Sequence, residues 1–196
     1  MKKVDLRVQK TNQALQAAFR TLASKTSYRN ITVKELTETA HINRKTFYLH
    51  FDSIDDFSDT VVDEIADKLL ELMLSKPLSQ GLAEPGYIFD KVLDFFQESR
   101  EFYTLMMTSD DYSFLARKVE IKIARGLSQA LYAAFDISEL DAFVCANFLI
   151  RNTMLLFRIY NENRMRLDRN EFRDRLIRLD SSGLSTFIDV KRNIRK

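Results

Sequence analysis

The stretch "INRKTFYLHF", residues 42–51, sets two adjacent basic residues, a threonine, two adjacent aromatics and a histidine between apolar ends. Arg44 and Lys45 would be costly inside a core. Phe47, Tyr48 and Phe51 would leave large apolar surface in water on a solvated helix. Phe47 and Phe51 lie four apart and share a helical face. The spacing therefore predicts a short helix with one side in a small core and the other against a polar, negative surface.

The flanks extend this reading. Asn43 is a good N-cap for a helix over 44–49, and "HIN" reads as a turn. Upstream, Thr32 and Glu35 have capping-box spacing ahead of a short helix over 33–39, with Val33, Leu36 and Ala40 on one side. Leu15, Phe19 and Leu22, with Ala18 and Ala23 beside them, mark a first helix over about 5–25 that "TSYRN" interrupts. Downstream, Asp52 or Ser53 caps a long helix carrying Phe57, Val61, Ile65, Leu69 and Leu72. Two short helices joined by a tight turn, after a longer one, describe a helix-turn-helix whose second helix enters the DNA major groove. Arg44 and Lys45 open that helix, where base-reaching side chains are needed, and arginine pairs bidentately with guanine. Thr46, Tyr48 and His50 carry donors suited to phosphates.

Charge supports a polyanion partner for this part alone. Residues 1–50 hold ten Lys/Arg against three Asp/Glu, whereas residues 51–157 hold nine against nineteen and residues 158–196 eleven against six. Lys2, Lys3, Arg7 and Lys10 are further candidates for backbone contact. The chain has 196 residues, 45% apolar, with only four Gly and two Pro, a composition that suits long helices over an all-β fold. The single cysteine, Cys145, cannot form an internal disulfide and reads as a small buried hydrophobe. The opening residues do not read as a signal peptide. The most apolar stretch, 142–150, falls short of a membrane span, so a cytoplasmic protein is expected. Both histidines lie in the helix-turn-helix, and there is no Gly-rich phosphate loop or Cys/His cluster. No catalytic residue, metal set or cofactor is expected. Asp55/Asp56 and Asp110/Asp111 read as helix-start charges.

Beyond "SKPLSQGLAEPGY", 75–87, which reads as a linker, the pattern stays helical. Ile88, Val92, Phe95 and Phe96 mark a fifth helix and Phe102 to Met107 a sixth. Leu115, Val119, Ile123, Leu127 and Leu131 mark a seventh. An eighth runs over about 139–161, and Phe172, Leu176 and Leu179 mark a ninth that "SSG" ends, with a basic tail after it. The fold class expected is all-α, with about nine helices.

"ITVKELTETAHINRKTFYLHFDSIDDF" resembles the signature of the TetR family of bacterial transcriptional regulators, "TFYLHF" being its most specific part. The resemblance covers roughly residues 8–60. It implies phosphate contacts by Thr32 and Tyr48, and base or phosphate contacts by Arg44, Lys45 and Thr46. For His50 it implies either a phosphate contact or a packing role. Tyr28 departs from the family's frequent glycine and Ile54 from its usual lysine. The implied organisation is a DNA-binding domain over 1–52, a connecting helix over 53–74 and an effector-binding and dimerisation domain over 75–196. Such a protein would bind palindromic double-stranded DNA as a homodimer, most simply as a repressor released by a small-molecule effector. Candidate lining for an effector cavity is Phe95, Phe96, Tyr103, Met106, Met107, Phe114 and Phe148, with Asn147 and Arg151 offering polar contacts. Candidate dimer residues are Ile150, Met154, Phe157, Phe172, Leu176 and Leu179. The alternative is a ligand-independent DNA-binding or protein-docking factor whose C-terminal part is only a scaffold; a solid C-terminal core without a cavity would favour it, a closed cavity holding unexplained density the sensor.

Overall fold

A computed structural model describes residues 6–161 and 168–188. Lys2, Lys3 and the tail from residue 189 onward lie outside them. The helices are α1 (Leu6–Ala23), α2 (Val33–Thr39), α3 (Arg44–Tyr48), α4 (Ile54–Met73), α5 (Leu78–Ala83), α6 (Tyr87–Glu98), α7 (Arg100–Thr108), α8 (Ser113–Ala134), α9 (Glu139–Asn161) and α10 (Arg169–Leu184). No strand occurs among the described residues. The fold is all-α, with one helix more than the periodicity suggests. The extra helix is α5, inside the stretch read as a linker. Pro77 sits at its N-cap, where a missing N–H costs nothing, and Leu78 is buried. The serines and glycine read as a stop are also helical, since α10 continues through them to Leu184.

The capping chemistry forms as the spacing predicts. Glu35 N–H donates to Thr32 Oγ1 at 3.2 Å, and Thr32 N–H donates to Glu35 Oε2 at 3.2 Å. Asn43 Oδ1 accepts from Lys45 N–H at 2.8 Å. Ser53 caps α4 by accepting from Asp56 N–H at 3.1 Å, while Asp56 reaches back to Asp52 N–H at 2.9 Å. Between α2 and α3, Ile42 N–H donates to Thr37 O at 2.9 Å and His41 N–H to Glu38 O at 3.2 Å. These two bonds form a Schellman motif, which needs a left-handed residue at its corner; His41 supplies it with φ 55°.

Tyr28, where the family resemblance would favour glycine, is buried. Its hydroxyl donates to Asp55 Oδ1 at 2.6 Å and contacts Ser58 Oγ at 2.9 Å. Its ring meets Phe19, Tyr112 and Phe114 edge-on. Ile54 likewise packs against the core and presents no charge. In the larger half, α8 lies centrally, packed most extensively on α9 and α4. Gly126 permits the close approach to α4, because a Cβ there would fall 2.5 Å from Leu70 Cδ1. Cys145 is buried, and burial pushes its thiol pKa up, away from reactivity.

The hydropathy expectation for α9 needs correction. Over Glu139–Tyr160 it is long and apolar enough, at mean hydropathy 1.4, to meet the length and composition of a membrane span. Asn147 and Arg151 lower that mean without taking it below what a span requires. In the fold α9 packs against α8, α7 and α10, and its apolar character comes from carrying apolar residues on two faces.

Because His41 carries a side chain in a left-handed corner, His41→Gly is expected to raise unfolding stability by roughly 0.5 kcal/mol. Urea denaturation of the two proteins checks this; a loss of stability would show that the His41 side chain itself holds the turn.

Candidate nucleic-acid interface and C-terminal cavity

The five residues of α3 divide as the opening stretch predicts. Phe47 is 0% exposed and Phe51 is buried beside it. Their rings contact each other at 5.3 Å and reach Phe57 of α4 at 6.2 and 5.2 Å. Phe57 in turn meets Phe19 of α1 edge-on at 5.7 Å. On the other side Arg44, Lys45, Tyr48 and His50 are exposed and Thr46 is partly so. Tyr48 is 50% exposed, its ring held edge-on against Phe47 at 5.5 Å, which leaves the hydroxyl end in solvent. Neither Arg44 nor Lys45 makes an ion pair among the described residues. Thr32 is exposed at the start of α2, next to Lys34, an exposed cation that the sequence reading did not single out. Arg7 and Lys10 lie exposed on α1.

The C-terminal half contains a cavity of about 200 Å³. Six helices wall it, through Met73 of α4, Leu82 of α5, Val92 of α6, Leu127 of α8, Ile150 of α9 and Leu176 of α10. It lies elsewhere than the aromatic and methionine residues proposed from sequence. Phe95, Phe96 and Tyr103 pack edge-on or tilted against one another, and Phe96 continues to Phe157. Met106 and Met107 are buried in the core, and Phe114 rests on Tyr28 at 4.8 Å. Asn147 donates to the Phe143 carbonyl within its own helix at 2.9 Å. Phe148 and Arg151 are exposed. Sequence position did not separate rings that fill a core from side chains that line a void, and aliphatic residues line this one. The segment read as a linker contributes Gly81, Leu82, Glu84, Pro85 and Gly86 to the wall.

The polar lining is sparse. Thr153 of α9 and Asp180, Ser181 and Ser185 of α10 lie along the wall, with Glu84 of the α5–α6 turn. Asp180 accepts from Asn152 Nδ2 at 2.7 Å and Thr153 Oγ1 at 3.4 Å. Burial pushes its carboxyl pKa up to about 6, and these two hydrogen bonds offset only part of that.

The dimer candidates separate in the same way. Ile150, Phe157, Phe172 and Leu176 are buried within the subunit, and Met154 lines the cavity. Leu179 is half exposed. The outward apolar residues of α9 are Leu140 at 70% exposure and Phe143 at 57%, followed by Val144, Phe148 and Leu155. Leu140, Val144, Phe148 and Leu155 follow one side of the helix at steps of four and seven residues, with Phe143 beside them. Both long helices have two apolar faces, and periodicity alone does not say which one turns inward.

Between pH about 4 and 6 the folded protein holds the Asp180 proton that the unfolded chain, near its ordinary 3.8, releases. This group's contribution therefore falls as pH rises through that window and stays unfavourable above it. Asp180→Asn is expected to be more stable than the parent by roughly 1–2 kcal/mol at pH 7.5, the gap closing near pH 4. Urea denaturation at the two pH values measures it; equal stability at pH 7.5 would mean the carboxylate is not strained by its surroundings.

Comparison with known proteins agrees with the geometry. Residues 14–61 match the family model described as bacterial regulatory proteins, tetR family. The chain is 34% identical over 71 residues to an uncharacterised HTH-type transcriptional regulator, YxbF, of Bacillus subtilis, covering 36% of this chain and 19% of that protein. It is 29% identical over 102 residues to an uncharacterised HTH-type transcriptional regulator of Haemophilus influenzae, covering 50% of each. The chain thus spans half or less of the length of these curated relatives. Over nearly its whole length it shares its fold with a TetR-family transcriptional regulator (HI0893) of Haemophilus influenzae, at TM-score 0.61 and 12% identity, covering 97% of this chain and 100% of that one. Residues 14–61 thus match the helix-turn-helix of the tetR family of bacterial regulatory proteins in sequence, and the whole helical layout is similar in shape to that of a TetR-family regulator.

Proposed function

We propose that this protein is a cytoplasmic transcriptional repressor that binds palindromic double-stranded DNA as a homodimer and is released by a small-molecule effector. The observation that carries the reading is the division of α3. Phe47 and Phe51 hold one side in the core, and Arg44, Lys45, Tyr48 and His50 face solvent on the other. In this reading Arg44 and Lys45 reach base edges, and Thr32, Thr46, Tyr48 and His50 contact phosphates. The divisions at 1–52, 53–74 and 75–196 then separate DNA reading, linkage and response.

The cavity supports an effector-responsive protein over a factor whose C-terminal half is only a scaffold, which would be solid. Two helices link the cavity to the DNA-reading unit. Met73 of α4 and Leu127 of α8 line it, while near their N-terminal ends Asp55 of α4 and Phe114 of α8 both contact Tyr28. A ligand that fits one arrangement of these helices better than another shifts the population of DNA-competent dimers. The outward stripe on α9, with Leu179 of α10, is the surface proposed for the second copy, because an isologous interface pairs one patch with itself.

Two experiments test this. Duplexes selected from a random pool by the purified protein should contain a palindrome. On the selected site Arg44→Ala should cost about 1–3 kcal/mol and relax the preference at one base position. Tyr48→Phe should weaken all duplexes nearly uniformly. Wild-type binding by either variant would remove the role assigned to that residue. For the second, Phe143→Glu should give a folded monomer in analytical ultracentrifugation that no longer binds the palindrome. A dimer of unchanged mass would place the interface elsewhere.

A further inference from the structure

We propose that the cavity takes a small lipophilic cation, a short hydrocarbon body ending in a primary ammonium, with the ammonium seated on the carboxylate of Asp180. The inference rests on the effector reading above and names the chemistry of that effector.

The walls are mainly aliphatic, with the ring of Phe89 among them, so the body of the ligand must be apolar. The polar groups cluster on α9 and α10, where Thr153, Asp180 and Ser181 all reach the lining. Asp180 is the acid in that lining without a cationic partner among the described residues. Glu84 is paired with Lys76. Three arginines of α10 are engaged elsewhere: Arg173 makes a two-point contact with Asp90, Arg175 donates to the Glu171 carbonyl, and Arg178 donates to the Asp174 carbonyl. On α9, Arg151 and Arg158 lie in the field of Glu120. Among the described residues Asp180 has the neutral donors of Asn152 and Thr153.

A buried carboxylate in this position repels an anion, and a pure hydrocarbon would strip it of water without replacing the lost contacts. An ammonium brings three donors and a compensating charge. A cavity of 150 Å³ holds benzene, so 200 Å³ suits a ligand of roughly eight heavy atoms. If Asp180 served only to tie α9 to α10, the cavity would show no preference for charge.

The test is calorimetric titration of the purified protein with hexylamine, hexanol and hexanoate, which are matched in length. Hexylamine should bind at least about tenfold tighter than either of the others. Asp180→Asn, expected to fold, should lose about that factor for hexylamine and leave hexanol within about twofold. Intermolecular NOEs should place the hexyl chain against the methyl groups of Leu127 and Ile150. Equal binding of hexylamine and hexanol, a preference for hexanoate, unchanged hexylamine binding in the Asn variant, or NOEs to other residues would each overturn the proposal. Operator binding is measured separately. Hexylamine that occupies the cavity without releasing DNA supports the cation site and removes the effector reading. Release by hexanoate and not by hexylamine keeps the effector reading and overturns the cation.

Discussion

The contact of Phe57 with Phe19, Phe47 and Phe51 is the constraint on which the DNA-facing half depends. A helix of five residues does not persist alone in water, because nucleation costs more than so few hydrogen bonds return. α3 exists because Asn43 caps it and because two of its neighbouring rings are pinned to α4. The same pinning turns its other face outward, so stability and presentation come from one cluster. The cluster does not end there. Phe19 also meets Phe102 and Tyr28, and Tyr28 meets Tyr112 and Phe114. Tyr112 donates to the Thr26 carbonyl at 2.9 Å. The orientation of the helix-turn-helix is thereby fixed to α7 and the start of α8 as well as to α4.

That attachment gives α4 and α8 a shared role. α4 has 20 residues and α8 has 22, each about 30 Å long. Leu70 lies directly against the α8 backbone at Gly126, and ion pairs join Lys118 to Asp59 and Lys122 to Asp63. These pairs are about half exposed and contribute little stability. The tight packing matters more, since interdigitated helices move together more readily than they slide. In the proposed mechanism a change at Met73 or Leu127 is delivered to Tyr28 by two helices acting as one lever.

Much of this was legible in the sequence. The helix-turn-helix announced itself through local rules, namely a capping box at Thr32, an N-cap at Asn43 and an aromatic pair four residues apart. Each depends on neighbours in the chain. The cavity was not legible in that way, because a void is a property of six helices meeting. Large aromatic residues are conspicuous in the sequence, yet Phe95, Phe96 and Tyr103 pack edge-on or tilted against one another and fill space. One signal was present and passed over. Phe172, Leu176, Leu184 and Ile188 follow one inward stripe at four-residue steps, and Asp180 occupies the step between them. An acid in register with a buried apolar stripe marks either a tie between helices or a ligand. The prolines and glycines at 75–87 misled for a related reason. They break helices locally, and the short α5 and the left-handed Gly86 that result close one end of the cavity.

α9 and α10 carry two surfaces at once. The inner one, with Ile150, Thr153 and Asp180, faces the cavity. The outer one, with Leu140, Phe143, Leu155 and Leu179, faces solvent in the single chain. Asp180 and Leu179 are adjacent in sequence, so a ligand drawn to the carboxylate acts one residue away from the surface proposed for the second copy. Phe148 packs over Gly183, where a Cβ would come within 2.5 Å of its ring, so the two helices meet closely there and a shift of one presses on the other. A ligand can bias such an arrangement only by as much as it binds one form better than the other. A charged group in a low-dielectric site makes that difference large, because its interaction depends steeply on whether the partner carboxylate is within contact distance. An acid without a cationic partner among the described residues is therefore well placed to report occupancy to both the surface proposed for the second copy and the unit proposed to read DNA.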